Sequence, residues 1–192
     1  MADAAVRIPV EETKPAPVPL LTVQSFVNTW EADSGVDLLV DQDIGDRWLQ
    51  QAGLIEAPGV DLAAARRIRE AIRGLLVVNS GEAPLEPGDV GVLRELAHDA
   101  RFGAVVRADG QVDLVPASVD GVSPLVGQLL LIIRDAQRDG SWSRLKACRN
   151  PDCRWAYYDR SHAGRGAWCD MAVCGNRIKN RNLRTRRSAA PA

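Results

Sequence analysis

The sequence predicts an α+β chain: a mostly helical N-terminal domain with one β-hairpin, followed by a small C-terminal module organised by cysteines. Three observations carry this. Apolar residues recur at helical spacing through residues 20–140. One pair of β-rich runs is joined at Asp109-Gly110, a dipeptide that tolerates the positive φ angles of a tight turn. All four cysteines fall between positions 148 and 174. With 192 residues, 46% of them hydrophobic and 26% charged, the chain can build one real core and an accessory module.

Taken in order, residues 1–19 hold Pro9, Pro15, Pro17 and Pro19 among small and charged residues and read as a disordered leader, with order beginning near Leu20. Leu20, Val23, Phe26, Val27 and Trp30 have the helical spacing, with a partly extended start as the alternative. Asp43 or Asp46 would cap a short helix that buries Trp48 and Leu49 and stops at Gly53. The clearest helix covers 61–79: Leu62, Ala65, Ile68, Ile72, Leu75 and Leu76 form its inner face, and Arg66, Arg67, Arg69, Glu70 and Arg73 are mostly displaced from it. A Gly/Pro loop precedes a helix over 89–100 that buries Val92, Leu93 and Leu96. The hairpin follows, over 102–107 and 111–115, and then a second long helix over 121–137 that Gly140 ends.

The net charge of −1 hides a division. Residues 144–192 hold 12 Lys/Arg against 3 Asp/Glu, a balance of +9, so residues 1–143 hold 12 against 22, or −10. Charge split in this way suggests an acidic body joined to a basic binding surface. Asp3, Arg7, Glu11, Glu12 and Lys14 exclude an apolar secretory segment at the start. The apolar stretch around Leu125 to Ile133 is too short to span a membrane. The expected setting is a reducing cytoplasm, where clustered cysteines favour a metal over disulfides.

Cys148, Cys153, Cys169 and Cys174 have the spacing C-x4-C, fifteen residues, C-x4-C. Two close pairs of thiolates satisfy tetrahedral zinc and close its shell, which implies one structural Zn2+ and no catalytic one. Disulfides or separate buried thiols are the alternative, and His162 is a candidate substitute ligand. Pro151-Asp152 suits the first turn. Residues 154–159, with Trp155, Tyr157 and Tyr158, fit one arm of a short hairpin whose tip is 161–166. Positions 169 and 174 lie about 140° apart on a helical wheel, so Cys169 should precede a helix that Cys174 opens. Knuckle, hairpin and helix make a treble-clef-like zinc finger. Its aromatics serve either as the core of a small module or as stacking platforms for bases.

Beyond Cys174 come Asn176, Arg177, Lys179, Arg181, Arg184, Arg186 and Arg187, with only Ile178 and Leu183 as large apolar residues. Arg177, Arg181 and Arg184 share one helical stripe. Such a helix suits a polyanion: Arg and Asn match base edges, and Arg186 and Arg187 would hold phosphates. Duplex DNA is the expected partner, which makes the protein nucleoid-associated when bound. An RNA-binding protein and a zinc-stabilised protein-interaction module are the alternatives, as is a solvated tail or one docked on the acidic body. No enzyme is expected, since nucleophile-elbow, phosphate-loop and metalloprotease motifs are missing from the sequence. His98 reads as a solvated or capping residue, and Asn28 and Thr29 as local caps or buried hydrogen-bond partners. The helical body would dimerise, bind a small-molecule effector or recruit a partner. Its −10 charge could also hold the +9 segment and mask it.

The residues Cys169-Asp170-Met171-Ala172-Val173-Cys174-Gly175-Asn176-Arg177, with Cys148, Asp152-Cys153, Tyr158-Asp159-Arg160-Ser161 and Trp168, resemble the CGNR zinc finger of bacterial proteins. Upstream, Phe26-Val27-Asn28-Thr29, Trp48-Leu49 and the helix from Arg66 to Leu76 resemble its partner domain, ABATE, described as a putative stress-induced transcription regulator. The resemblance implies a zinc-binding, DNA-binding bacterial regulator with Cys148, Cys153, Cys169 and Cys174 as ligands and Gly175, Asn176 and Arg177 as signature residues. It departs at Gly166-Ala167, where the family commonly has basic residues before Trp-Cys, at the position of one phosphate contact. The expected layout is a leader over 1–19, an ABATE-like domain over 20–140, the finger with its basic helix over 144–187 and a disordered tail over 188–192.

Overall fold

A computed structural model describes residues 12, 14–98, 100–117 and 121–188. Helix α1 (Leu20–Val27) buries Leu20, Val23, Phe26 and Val27. It leads into an antiparallel pair, β1 (Trp30–Glu31) and β2 (Val36–Asp37), too short to leave an alternation in the sequence. Helix α2 (Gln42–Gln51) is capped by Asp41, whose carboxylate accepts from the Ile44 N–H at 3.0 Å. Neither Asp43 nor Asp46 takes that place. Asp46 turns inward, where its Oδ2 accepts from Gln42 Nε2 at 3.0 Å and from the Gly59 N–H at 2.8 Å and so fastens the loop beyond α2.

Helix α3 (Leu62–Asn79) starts at Asp61, which accepts from the N–H groups of Ala63 and Ala64. Helix α4 (Pro87–Ala97) begins two residues before the expected start because Pro87 sits in its first turn, where a missing N–H costs nothing. Strands β3 (Phe102–Val106) and β4 (Val112–Pro116) pair antiparallel from Phe102 opposite Pro116 to Val106 opposite Val112. Gly110 turns the chain between them with φ of 84°. Helix α5 (Ser123–Asp139) ends at the left-handed Gly140. No helix among the described residues is long and apolar enough to cross a membrane.

Helix α3 lies at the centre, against α1, α4 and β5 (Leu145–Ala147); α5 packs on α1, α4 and β4. Phe26, Trp48, Leu49, Ile68, Ile72, Leu76, Leu125 and Leu129 are fully enclosed. The same core takes in Leu145, Ala147 and, from β6 (Ala156–Tyr158), Ala156. The expected boundary near residues 140–144 is therefore not a gap in packing. Polar bonds sew it as well: Asn79 Nδ2 donates to the carbonyls of Trp142 and Leu145, both at 2.9 Å, and Ser80 Oγ to that of Ala147 at 2.7 Å.

Two expectations are corrected here. Arg69 and Arg73, read as displaced from the inner face of α3, are buried. Arg69 forks onto both Asp37 oxygens at 2.6 and 2.9 Å, and Arg73 donates to the carbonyls of Val27 (2.7 Å) and Arg154 (2.8 Å). Glu70 accepts from the Nε of both. Burial opposes the charge on each, and these acceptors are what allow a guanidinium to sit there. The second correction concerns the leader. Glu12 and Lys14–Ala16 are held against the molecule, with Ala16 in the core, while Pro17–Pro19 are exposed. Prolines keep this stretch out of a helix, but an extended segment is what fits beside β6: the Tyr158 N–H donates to the Lys14 carbonyl at 2.9 Å. Residues 1–11 of the expected leader and 189–192 of the expected tail lie outside the described residues.

Candidate metal centre

The first cysteine pair sits in the loop of the β5–β6 hairpin, whose register sets Leu145 opposite Tyr158 and Ala147 opposite Ala156. This corrects the expected hairpin. Residues 156–158 pair with a strand upstream of Cys148, and the segment 161–166 is a loop and not the tip of a hairpin. The knuckle closes through the Cys153 N–H on the Asn150 carbonyl at 2.9 Å and the Cys148 N–H on the Trp155 carbonyl at 2.9 Å. Arg154 leaves it with φ of 54°, an uncommon conformation for a side-chain-bearing residue, and its carbonyl is the one that Arg73 of α3 holds.

The second pair is arranged as its five-residue spacing requires. Cys169 precedes a single wide turn, Met171–Gly175, and Cys174 lies within it. Asp170 caps this turn by accepting from the Val173 N–H at 2.8 Å. Gly175 is needed for close approach: a Cβ there would lie 2.5 Å from Met171 Sδ.

The four Sγ atoms lie within 4.8 Å of one another, and Cys169 Sγ stands 3.7 Å from both Cys153 Sγ and Cys174 Sγ. A tetrahedron with zinc–sulfur bonds of about 2.3 Å has edges of about 3.8 Å, whereas a disulfide needs about 2.0 Å. The residues fit zinc, and all four cysteines are free thiols. His162, the candidate substitute ligand, is exposed and outside this cluster. Tyr157, Trp155 and Trp168 pack on the sulfurs, so the aromatics form the module's core.

Crowding sets the protonation of the metal-free cluster. Hydrogen bonds from Cys153 and Cys169 hold the Cys148 thiol far below its ordinary value, at about 2. The bond to Cys148 pushes Cys153 up to about 12, and bonds to Cys148 and Cys153 push Cys169 up strongly. Thiols cannot bind zinc with their protons on, so metal uptake must expel those on Cys153 and Cys169.

Asp159 organises the loop that leads to Cys169. Its carboxylate accepts from Lys146 Nζ at 2.9 Å and from the N–H groups of Ser161 (3.0 Å) and Gly166 (2.7 Å). Burial alone would raise this carboxyl, but these donors outweigh it and hold it well below the usual range. A Cβ on Gly166 would lie 2.8 Å from Asp159 Oδ1, so the glycine that departs from the family pattern is tied to this turn.

Helix α6 (Asn176–Ser188) follows the wide turn directly, and that turn is the element packed most broadly against it. Asn176, Arg177, Lys179, Asn180 and Arg181 are exposed. Arg177 Nη1 reaches both Asp33 oxygens, at 2.8 and 3.0 Å, across from the β1–β2 turn. Arg181 pairs with Asp152 of the knuckle. The backbone of Arg184, Arg186 and Arg187 continues the helix, and their side chains lie outside the described residues.

Sequence reasoning missed Arg73, whereas Asn28 is the buried hydrogen-bond partner that the sequence offered. Asn28 mimics a strand: its Oδ1 accepts from the Ala156 N–H at 2.8 Å and its Nδ2 donates to the Ala156 carbonyl at 2.9 Å. Its place beside the apolar run of α1 was the available signal. Residues 22–137 match the family ABATE, described as "Putative stress-induced transcription regulator", and residues 144–187 match the family described as "CGNR zinc finger". No curated protein matches the chain.

Proposed function

Because this chain belongs to the ABATE family and carries a CGNR zinc finger after that domain, we propose that it is a zinc-dependent, DNA-binding transcription regulator. The observation that supports this most is the exposed basic helix α6, which emerges from the turn that holds Cys174. Zinc bound by the four thiolates fixes that turn and gives the helix one pose. In that pose Asn176, Arg177, Lys179 and Arg181 face a duplex, and Arg184, Arg186 and Arg187 continue toward its phosphates. A tetrathiolate site carries a net charge of about −2, which leaves the segment basic by its own +9.

The aromatics lie against the cysteines, which leaves single-strand or RNA stacking with little exposed platform. DNA is therefore favoured over RNA. Four thiolates close the coordination shell of the metal, which supports a structural role for the zinc. A cytoplasmic, nucleoid-associated setting follows from DNA as partner. In the body, a second copy would pack on the exposed apolar residues Val106, Val112 and Leu114, which share one face of the hairpin. A small effector would enter the groove of about 190 Å³ between α1 and α2, lined by Leu21, Thr22, Ser25 and Trp48.

The test is fluorescence anisotropy of the full, zinc-loaded chain on duplex DNA from a random pool, before and after removal of the metal, with structured RNA as competitor. The reading expects salt-sensitive duplex binding that chelation abolishes and RNA competes for weakly. Binding that is absent, or indifferent to chelation, overturns it.

A further inference from the structure

Each of the three aromatic residues that wall the cysteine cluster is held by the same upstream segment, more than 140 residues away in sequence. Glu12 Oε2 accepts from Trp155 Nε1 at 3.3 Å. Lys14 Nζ lies 5.1 Å from the centroid of the Tyr157 ring, within cation–π range. The same ammonium donates to the Trp168 carbonyl at 2.9 Å, one residue before Cys169. The segment is itself anchored on both sides. Its Lys14 carbonyl accepts from the Tyr158 N–H at 2.9 Å and its Pro15 carbonyl from Arg160 Nη2 at 2.8 Å, both in the finger. On the body side, the Ala16 N–H donates to the buried Gln24 Oε1 at 2.7 Å.

We propose that Glu12 and Lys14–Ala16 are a working part of the zinc centre, with Lys14 as the positioning residue. They form a strap that is tied to β6 through the Tyr158 N–H and holds the arm that carries Cys169. The physical reasons are two. A carbonyl adjacent to a ligand fixes that ligand's direction only if the carbonyl itself is fixed, and Lys14 Nζ does this for Trp168. A tetrathiolate site also carries a net charge of about −2, and the Lys14 ammonium, set over the Tyr157 ring that packs with the cysteines, stabilises the loaded form over the empty one. The strap joins the body to the finger as well, so loss of the metal should be felt in α1 through Ala16 and Gln24.

The inference rests on the zinc reading, and the experiment separates the two. Zinc transfer from the full chain to a chromophoric chelator is timed for wild type, Lys14→Met, Lys14→Arg and, as a control at an exposed position of α3, Arg67→Met. If purified wild type holds no zinc, the zinc reading fails. If it holds zinc, Lys14→Met should release it about tenfold faster, the scale of a lost partner to a ligand arm, while Lys14→Arg stays near wild type and Arg67→Met is unchanged. Equal release by Lys14→Met and wild type overturns the proposal. Hydrogen–deuterium exchange on wild type tests it without a variant. Chelation should deprotect the Ala16 and Tyr158 amides together with the knuckle, and an Ala16 amide that stays protected would overturn it too.

Discussion

Cys174 shows how much rests on single atoms at the metal. Its sulfur is buried inside a turn where a Cβ on Gly175 would press on the Met171 and Trp168 side chains, and it accepts a long 3.8 Å contact from Asn150 Nδ2. Cys174→Ser should reduce bound zinc from one per chain to none after dialysis against a weak chelator, as read by elemental analysis. Protons should count as well. With Cys153 pushed up to about 12 and Cys169 raised strongly, both thiols carry protons at neutral pH in the empty site and lose them on loading. Zinc affinity therefore falls as pH falls, by at least about 100-fold per unit from the protons of these two thiols alone, measurable by calorimetry in buffers of different ionisation enthalpy. Arg73 gives the third residue-scale prediction. Arg73→Met strips the donors from the carbonyls of Val27 and Arg154 and leaves Glu70 with fewer partners, so it should destabilise the chain by about 3 kcal/mol in urea unfolding. Arg177→Met, on an exposed pair, should leave the midpoint where it was.

At the scale of elements, long helices were legible and short connections were not. The apolar stripe of α3 predicted its length to within a residue because burial on one face is written every third or fourth position. The β1–β2 pair has two residues per strand, too few for a period, and the pairing of β6 with β5 depends on which strand the knuckle folds back upon. The cysteines were readable because zinc constrains residue type and spacing together. Arg69 and Arg73 were not, because a charged side chain reads as outward even where, as at Arg69, the helical spacing sets it between Leu62 and Leu76 on the inner face, and only the tertiary acceptors make that burial possible. For α6, the ion pair between Arg177 and Asp33 of the β1–β2 turn is a described contact through which the acidic body could mask the helix. Asp33→Asn should raise affinity for duplex DNA about threefold, given how little an exposed pair holds back. The increase should vanish in an Arg177→Gln background if Asp33 acts through that arginine. It should persist there if Asp33 acts through general repulsion.

Over the whole molecule, body and finger share one core. Leu145, Ala147 and Ala156 complete the apolar cluster built by α1, α3 and α5, and the segment around Lys14 crosses from one to the other. A fragment of residues 141–192 should therefore fail to give the ordered near-ultraviolet signal of the full chain even with zinc added, since those three side chains would face water. For the same reason masking is better tested by Asp33→Asn than by removal of the body. On the proposed function the protein is a rigid carrier for one basic helix, and the salt dependence of binding reads that helix most directly. Zinc-loaded wild type is compared with Lys179→Gln and Arg181→Gln on one duplex across a range of salt. The slope of log affinity against log salt should fall by about 0.9 for each phosphate contact removed. Slopes that match wild type in both variants would contradict the claim that α6 is the surface that meets DNA.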